Sequence, residues 1–492
     1  MPETNDKNHD LNNKPKSNTD EAGESKMSIN LNPRLMDTLT AFALGILLAV
    51  VIVLLARSAS DQSTSNSVSA NSSSKMLLTP VYQKSVTKYL RPIKTLDEQD
   101  IERARIAWKF FENNYQAETG LVNAADKYPS TTMWDTGSAL GATIAAYDLG
   151  FISEKDFDDR IILMLGSLYE LKLFQNIAPN KVYDTVKGTM VDYKNRPTET
   201  GIGVSALDLA RMISWLNILA GTHPKHAISA KNVMLRWDLN QLIKDGQMYG
   251  LAADPVTQEI RFLQEGRLGY EQYAGKVFKM IGFDQKVSST YNNEFKAITN
   301  IYDVPIAYDS RDPRKYGAYN YVVTESYVMD VFEHGYDVET EPLTNNIYQV
   351  QKQRWLRTGQ VTAVSEDNID RKPRFVYNTI FAAGSPWNAI TDTGKDMEEL
   401  KTVSTKAALA MAYLYPDDDY SQELLNTIST AYDPERGWFS GIYEKGQGYN
   451  DVFTCNTNGI IMTTMLYKKY GPLNRVLAKA GKIIQYKKAV QP

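Results

Sequence analysis

The chain has 492 residues, 54 of them basic and 58 acidic, with a formal net charge of −4 at neutral pH. That balance excludes a polycation for nucleic acid. One cysteine and four histidines exclude clustered-thiolate metal sites and argue against histidine triads, so 30 tyrosines, 7 tryptophans and the carboxylates are left to carry chemistry.

Residues 1–34 are polar, rich in Asn, Lys, Asp and Glu, and read as a disordered cytoplasmic tail. Residues 35–56, LMDTLTAFALGILLAVVIVLLA, read as a single transmembrane helix, because an apolar run of that length spans a hydrocarbon core of about 30 Å. A cleaved signal peptide is the alternative, against which stand the long leading tail and the length of the apolar run. Residues 57–79 form a Ser/Asn-rich linker. The flanking cations, Lys26 and Arg34 before the span and Arg57 and Lys75 after it, are nearly balanced. The short tail favours a cytoplasmic N-terminus. In a bacterium this anchors the chain in the inner membrane with its C-terminal domain in the periplasm.

Residues 80–492 contain no second linker and read as one unit. Six nearly apolar segments recur along it, starting at Trp134, Thr200, Glu265, Val323, Thr402 and Cys455, and small residues are common in them. More charged, one-sided helices alternate with them. These start at Leu96 behind a Thr95 cap, at Ser153 as its own cap, and at Ala227, Thr344 and Asp417, with residues 291–300 assigned to the remaining one. Apolar helices paired with one-sided ones predict two concentric layers, an all-α (α/α)6 toroid or barrel, with a helical solenoid as the alternative. The links into the inner helices are long. KVYDTVKGTMVDY from Lys181 alternates around a Lys-Gly turn, which predicts β-hairpin loop insertions.

In such a barrel the starts of the inner helices share one mouth. They bring together Asp135 beside Trp134, then Asp208, Glu265, Glu271, Glu325, Lys406, Asn456 and Asn458. The loops add Tyr193, Tyr270, Trp387 and Trp438 as aromatic platforms. Paired carboxylates among aromatic rings suit glycosidic cleavage, where one acid protonates the leaving oxygen and a second activates water or attacks carbon. Each acid taken singly also suits a helix cap. Glu265 and Glu325 open consecutive inner helices and are the first catalytic candidates, with Asp135 the third. Arg267 is placed to pair with Glu265 or with an acid of the substrate, and Asp309 and Arg311 to bind sugar hydroxyls.

The runs YPSTTMWDTGSALGA, GIGVSALDLAR, EGRLGYEQYAG, GQVTAVSEDNIDRKPRFVYNTI, TVSTKAALA and GWFSGIYE followed by NTNG resemble a bacterial envelope family. Its shared domain is similar in fold to (α/α)6 glycoside hydrolases, both glucoamylase-like and endo-β-1,2-glucanase-like. The resemblance covers about residues 95–475 and implies a carbohydrate-active enzyme. It draws attention to Ser365-Glu366-Asp367 with Arg371 and Tyr377, and adds Glu366 and Tyr377 to the candidate set. Where the family has Ser-Glu-Pro-Tyr, this chain has Thr324-Glu325-Ser326-Tyr327, keeping the acid and losing the proline.

The resulting expectation is a membrane-anchored glycoside hydrolase or transglycosylase acting on an envelope or exported polysaccharide, with no metal or cofactor. Two alternatives stay open: a non-catalytic glycan-binding subunit of an exopolysaccharide synthesis or secretion complex, and a polysaccharide lyase with a tyrosine base.

Overall fold

The computed structural model describes residues 95–486, apart from 255, 256, 258, 317 and 318. The expected tail, membrane span and linker lie outside these residues. Among the described residues no helix is long and apolar enough to cross a membrane.

Twelve helices matter for the architecture: α1 Glu98–Asn114, α2 Met133–Asp148, α3 Glu154–Glu170, α4 Ala206–Thr222, α5 Ala227–Leu235, α6 Tyr270–Met280, α7 Thr324–His334, α8 Thr340–Thr358, α9 Thr405–Leu414, α10 Asp419–Ile428, α11 Cys455–Tyr470 and α12 Leu473–Lys479. Helices α2, α4, α6, α7, α9 and α11 each pack on the next, and α11 packs back on α2, so the inner layer closes into a ring. This is the (α/α)6-type arrangement, and a solenoid, whose ends stay open, does not fit it.

Burial explains which helix takes which layer. On α4 every residue from Leu209 to Gly221 is buried, as an inner helix requires. On α3 only Phe157, Ile161, Met164, Leu165 and Leu168 are buried, a single stripe that faces inward. Small residues let the inner helices approach closely. A Cβ added to Gly141 of α2 would lie 2.8 Å from the Trp215 ring of α4.

Two sequence expectations change in detail. Helix α1 starts at Glu98 behind Asp97 rather than behind Thr95. Asp97 accepts from the Asp100 backbone N–H at 2.9 Å, and Asp100 accepts from the Asp97 N–H at 2.8 Å, a reciprocal capping box. Residues 291–300 do not supply a sixth outer helix. The chain between α6 and α7 forms a hairpin of β3 (Lys296–Ile301) and β4 (Val304–Asp309), numbered after β1 (Gln247–Ala253) and β2 (Ile260–Gln264). Its turn residues Tyr302 and Asp303 both have positive φ, the tight turn that matches strand twist, and β4 packs on α8.

The ring is filled along its axis. Arg211 of α4 pairs with Glu333 of α7, and the Tyr273 hydroxyl of α6 donates to Glu333 at 2.9 Å. The Arg211 guanidinium also lies 5.7 Å from the Trp134 ring and 5.6 Å from Trp215. Helix α12 packs on both α4 and α7, with the Asn474 amide donating to the Ser214 hydroxyl at 2.7 Å.

Removing one partner of a buried ion pair leaves the other charge uncompensated. Arg211→Ala is therefore expected to lower the unfolding free energy in urea by about 3–5 kcal/mol, and adding Glu333→Gln should restore part of that loss.

Candidate active site

The N-terminal ends of the inner helices form one mouth, and their caps set what faces it. Thr132 accepts from the Asp135 N–H at 3.1 Å and Ser205 from the Asp208 N–H at 3.2 Å, which fixes both acids in the first turns of α2 and α4. Helices α7 and α9 have no side-chain cap. Their first-turn residues, Glu325 and Lys406, bond to each other instead, with the ammonium 2.6 Å from Glu325 Oε2.

From that pair a polar floor runs across the ring. Asn456 of α11 donates to Glu325 Oε1 at 2.8 Å, and the Trp134 indole N–H of α2 donates to Asn456 Oδ1 at 3.1 Å. The Trp134 ring meets Tyr270 of α6 edge-on at 5.6 Å. The Tyr270 hydroxyl donates to Glu366 Oε1 at 2.9 Å.

Glu366 comes from a three-stranded sheet, β5 Glu366–Asn368, β6 Phe375–Asn378 and β7 Ala389–Ile390, in which it lies opposite Tyr377. Successive strand residues point to opposite faces. Glu366 is half-buried, while Asp367 is buried, 3.4 Å from the Lys406 ammonium. The Tyr377 ring stacks flat on Tyr321, with centroids 3.6 Å apart. On the far wall, in the loop before α4, Tyr193 is 67% exposed. Its hydroxyl lies in the field of Asp208 and Glu265, and it acts in turn on Tyr377. Helices α4 and α9 are opposite in the ring.

The acids cannot all ionise freely. Burial first, and then the Glu325 charge, raises Glu366 to about 8 against the pull of Lys406 and the Tyr270 hydroxyl. Burial and then Glu265 raise Asp208 to about 7. Burial also raises Asp135 and Asp367, each to about 6, with Thr132 restraining the first and Lys406 the second. Lys406 moves the other way from what burial alone would cause, because Glu325, Asp367 and Glu366 hold its proton in place.

Of the residues singled out from sequence, Trp134, Asp135, Tyr193, Asp208, Tyr270, Glu325, Glu366, Tyr377, Lys406 and Asn456 come together here. Glu265 reaches the mouth but does not stand beside Glu325. Its Oε2 accepts from the backbone N–H of Ala206 at 2.6 Å and Leu207 at 3.4 Å, and Lys181 lies 3.8 Å from Oε1. The positive end of α4 has captured it as a cap. Arg267, Glu271, Asp309 and Arg311 are buried in a closed cluster that ties the start of α6 to the end of β4. Arg311 pairs with both acids, its Nε 2.9 Å from Asp309 Oδ1.

Three others face away from the mouth. Trp387 is buried with its ring 4.9 Å from the Arg354 guanidinium of α8. Asn458 accepts from the Trp438 backbone N–H at 2.9 Å, and the Trp438 indole N–H donates to the Arg103 carbonyl of α1 at 3.0 Å. Trp438 borders a separate groove of about 660 Å³ lined by α1 and α10. Asp367, Tyr321 and Lys181 were not selected from sequence. The signal for Asp367 was its place directly after Glu366, and for Tyr321 its place in the aromatic run ahead of α7. Among the described residues no three His, Cys, Asp or Glu side chains are grouped as metal ligands.

Residues 102–471 match the protein family described as a protein of unknown function, DUF3131. No curated protein matches the chain. Among solved structures, an endo-β-1,2-glucanase of Chitinophaga pinensis, seen with sophorotriose and glucose, aligns with a TM-score of 0.57 at 13% identity, covering 80% of this chain and 99% of its own. A glucoamylase-like protein of Bacteroides fragilis aligns at 0.58 and 13%, covering 81% and 100%. An endo-β-1,2-glucanase of Talaromyces funiculosus, seen with sophorose, aligns at 0.54 and 13%, covering 82% and 89%. At such identities the likeness is one of fold.

A carboxyl group whose pKa is raised on folding stabilises the folded state while protonated. That contribution is complete below the unfolded value of about 4.3 and is lost as pH rises through the folded value of about 8. Relative to the parent, the Glu366→Gln variant is therefore expected to gain stability progressively between about pH 5 and pH 9, read from urea midpoints across that range.

Proposed function

The chain belongs to the DUF3131 family, and we propose that this member is a glycoside hydrolase of general acid/base type acting on a polysaccharide outside the cytosol. The observation that carries the reading is Glu366: a half-buried carboxyl raised to about 8, bonded by the Tyr270 hydroxyl and set on the same sheet as the Tyr377 ring that stacks on Tyr321. The Tyr270 hydroxyl occupies Oε1, which leaves the proton to the other oxygen. Glu366 gives that proton to the glycosidic oxygen as the bond to the anomeric carbon breaks. Asp135, a carboxylate above about pH 6, takes a proton from the water that attacks that carbon. Glu325 and Lys406 hold the floor on which both act. Tyr193 and the Tyr321–Tyr377 stack offer faces to the sugar rings.

The lyase reading is less well supported. Tyr193, Tyr270 and Tyr377 are all pushed upward, by burial and then by neighbouring charges, which is the wrong direction for a base. The excess of acids over lysines would also repel a uronate polymer. The solved structures similar in fold to this chain include enzymes whose names specify β-1,2-glucan, which makes that polymer the first probe. The anchoring by residues 35–56, the periplasmic setting and an exported or envelope polysaccharide as substrate belong to the same proposal. They rest on the apolar run and the linker.

The test is incubation of the purified full-length protein with β-1,2-glucan and a panel of bacterial exopolysaccharides, followed by assay of new reducing ends. Turnover is expected, with a bell-shaped kcat/KM whose limbs lie near pH 6 and pH 8. Asp135→Asn and Glu366→Gln should each lower kcat at least about a hundredfold. Binding without turnover across the panel would point to the non-catalytic subunit instead.

A further inference from the structure

The short sheet that carries Glu366 has two unlike faces. Strand side chains alternate between faces, and directly paired residues share one. Asp367, Val376, Asn378 and Ala389 are all buried and close one face. The other presents Glu366 beside Tyr377 and, one pair further along, Asn368 beside Phe375. Ile390, on the far side of Tyr377, is buried, so the open part is the β5–β6 half. Exposure rises along it: Glu366 and Tyr377 are half-buried, Asn368 is exposed and Phe375 is 37% exposed. The two pairs stand about 7 Å apart, the rise of two strand residues. The Phe375 ring meets Tyr377 edge-on with centroids 5.2 Å apart, and the Tyr377 ring is stacked on Tyr321, so three rings are contiguous. The Asn368 carbonyl accepts from the Asn450 amide at 2.7 Å, while its own side-chain amide has no partner among the described residues.

A single exposed ring is ordinary on a protein surface. Rings in contact beside a free amide, with no charged side chain but Glu366 on the same face, make a more particular surface. It offers little to an ionic ligand. It suits a pyranose, whose C–H face is apolar and whose rim is made of hydroxyl groups. We propose that this half-sheet is a further sugar-binding position. The Phe375 ring covers the apolar face of one sugar unit and the Asn368 amide hydrogen-bonds its hydroxyls, next in line after the unit held at Glu366. The ligand is therefore a run of several neutral sugar units, and a chain that ends at Glu366 leaves the position unfilled. The proposal deepens the hydrolase reading and rests on it for the order of the positions. Sugar binding on this face does not depend on turnover.

The test reads binding. Full-length Glu366→Gln protein is titrated calorimetrically with β-1,2-glucan oligosaccharides of increasing length and with the bacterial exopolysaccharides. Affinity should rise by about tenfold at the length that first reaches Phe375. Adding Phe375→Ala should abolish that step and leave the shortest ligands unaffected, whereas Phe375→Tyr in its place should keep it. Adding Asn368→Ala should reduce the step by about threefold. Both side chains lie at the surface, so these variants should fold, which circular dichroism checks. A folded Phe375→Ala protein that keeps its affinity for every length, or loses affinity for all lengths equally, overturns the proposal. So does a Glu366→Gln protein that binds none of these sugars. The hydrolase reading fails separately. Length-dependent binding that needs Phe375, with no turnover by the parent, counts against hydrolysis and leaves this position standing. Turnover with no effect of Phe375→Ala on binding does the reverse.

Discussion

One buried ammonium has to serve more carboxylates than it can neutralise. Lys406 is bonded to Glu325 and paired with Asp367, and it lies in the field of Glu366 and Asp135. Burial comes first, and with too little positive charge to go round the remaining acids then keep protons at pH values where a surface carboxyl would have lost them. An acid that keeps its proton at neutral pH is what protonation of a leaving oxygen requires. The same shortage makes the mouth less stable as pH rises, so the site works against the fold that holds it.

The ring makes this possible. Six inner helices begin on one face, and the positive ends of helices favour acids there. The acids then divide by task. Glu265 is spent on the backbone of α4 and Asp100 on the start of α1, both structural uses. Helices α7 and α9 begin without a side-chain cap, and it is their first-turn residues that are left to pair across the mouth. Capping and chemistry therefore draw on the same residue type at the same positions, and the neighbours decide between them.

That division shows what sequence could and could not reveal. The inner helices were legible because nearly every residue on them is buried, and the outer ones because only a stripe is. Asp135, Asp208 and Glu325 were legible as first-turn acids. The partner of Glu325 was not, because Glu265 sits at the end of a hairpin several residues before α6, and only the folded chain shows it turned onto α4. Glu366 and Tyr377 lie on strands of three and four residues, too short for alternation to register, and the family resemblance supplied them. Trp387 and Trp438 were selected as cleft aromatics, yet an aromatic in a loop looks the same in sequence whether it faces the cleft or an outer helix. That residues 291–300 do not form an outer helix had a legible sign, since KAITNI and VPIAYD carry β-branched residues and a proline.

The most direct measurement is a crystal structure of the Glu366→Gln variant soaked with β-1,2-glucan oligosaccharides. The expected result is a sugar chain between Tyr193 and Tyr377, with a glycosidic oxygen in hydrogen-bond reach of the side chain at position 366 and a water held by Asp135. An oligosaccharide seated instead in the groove between α1 and α10, or one whose glycosidic oxygens all lie away from position 366, would contradict the account.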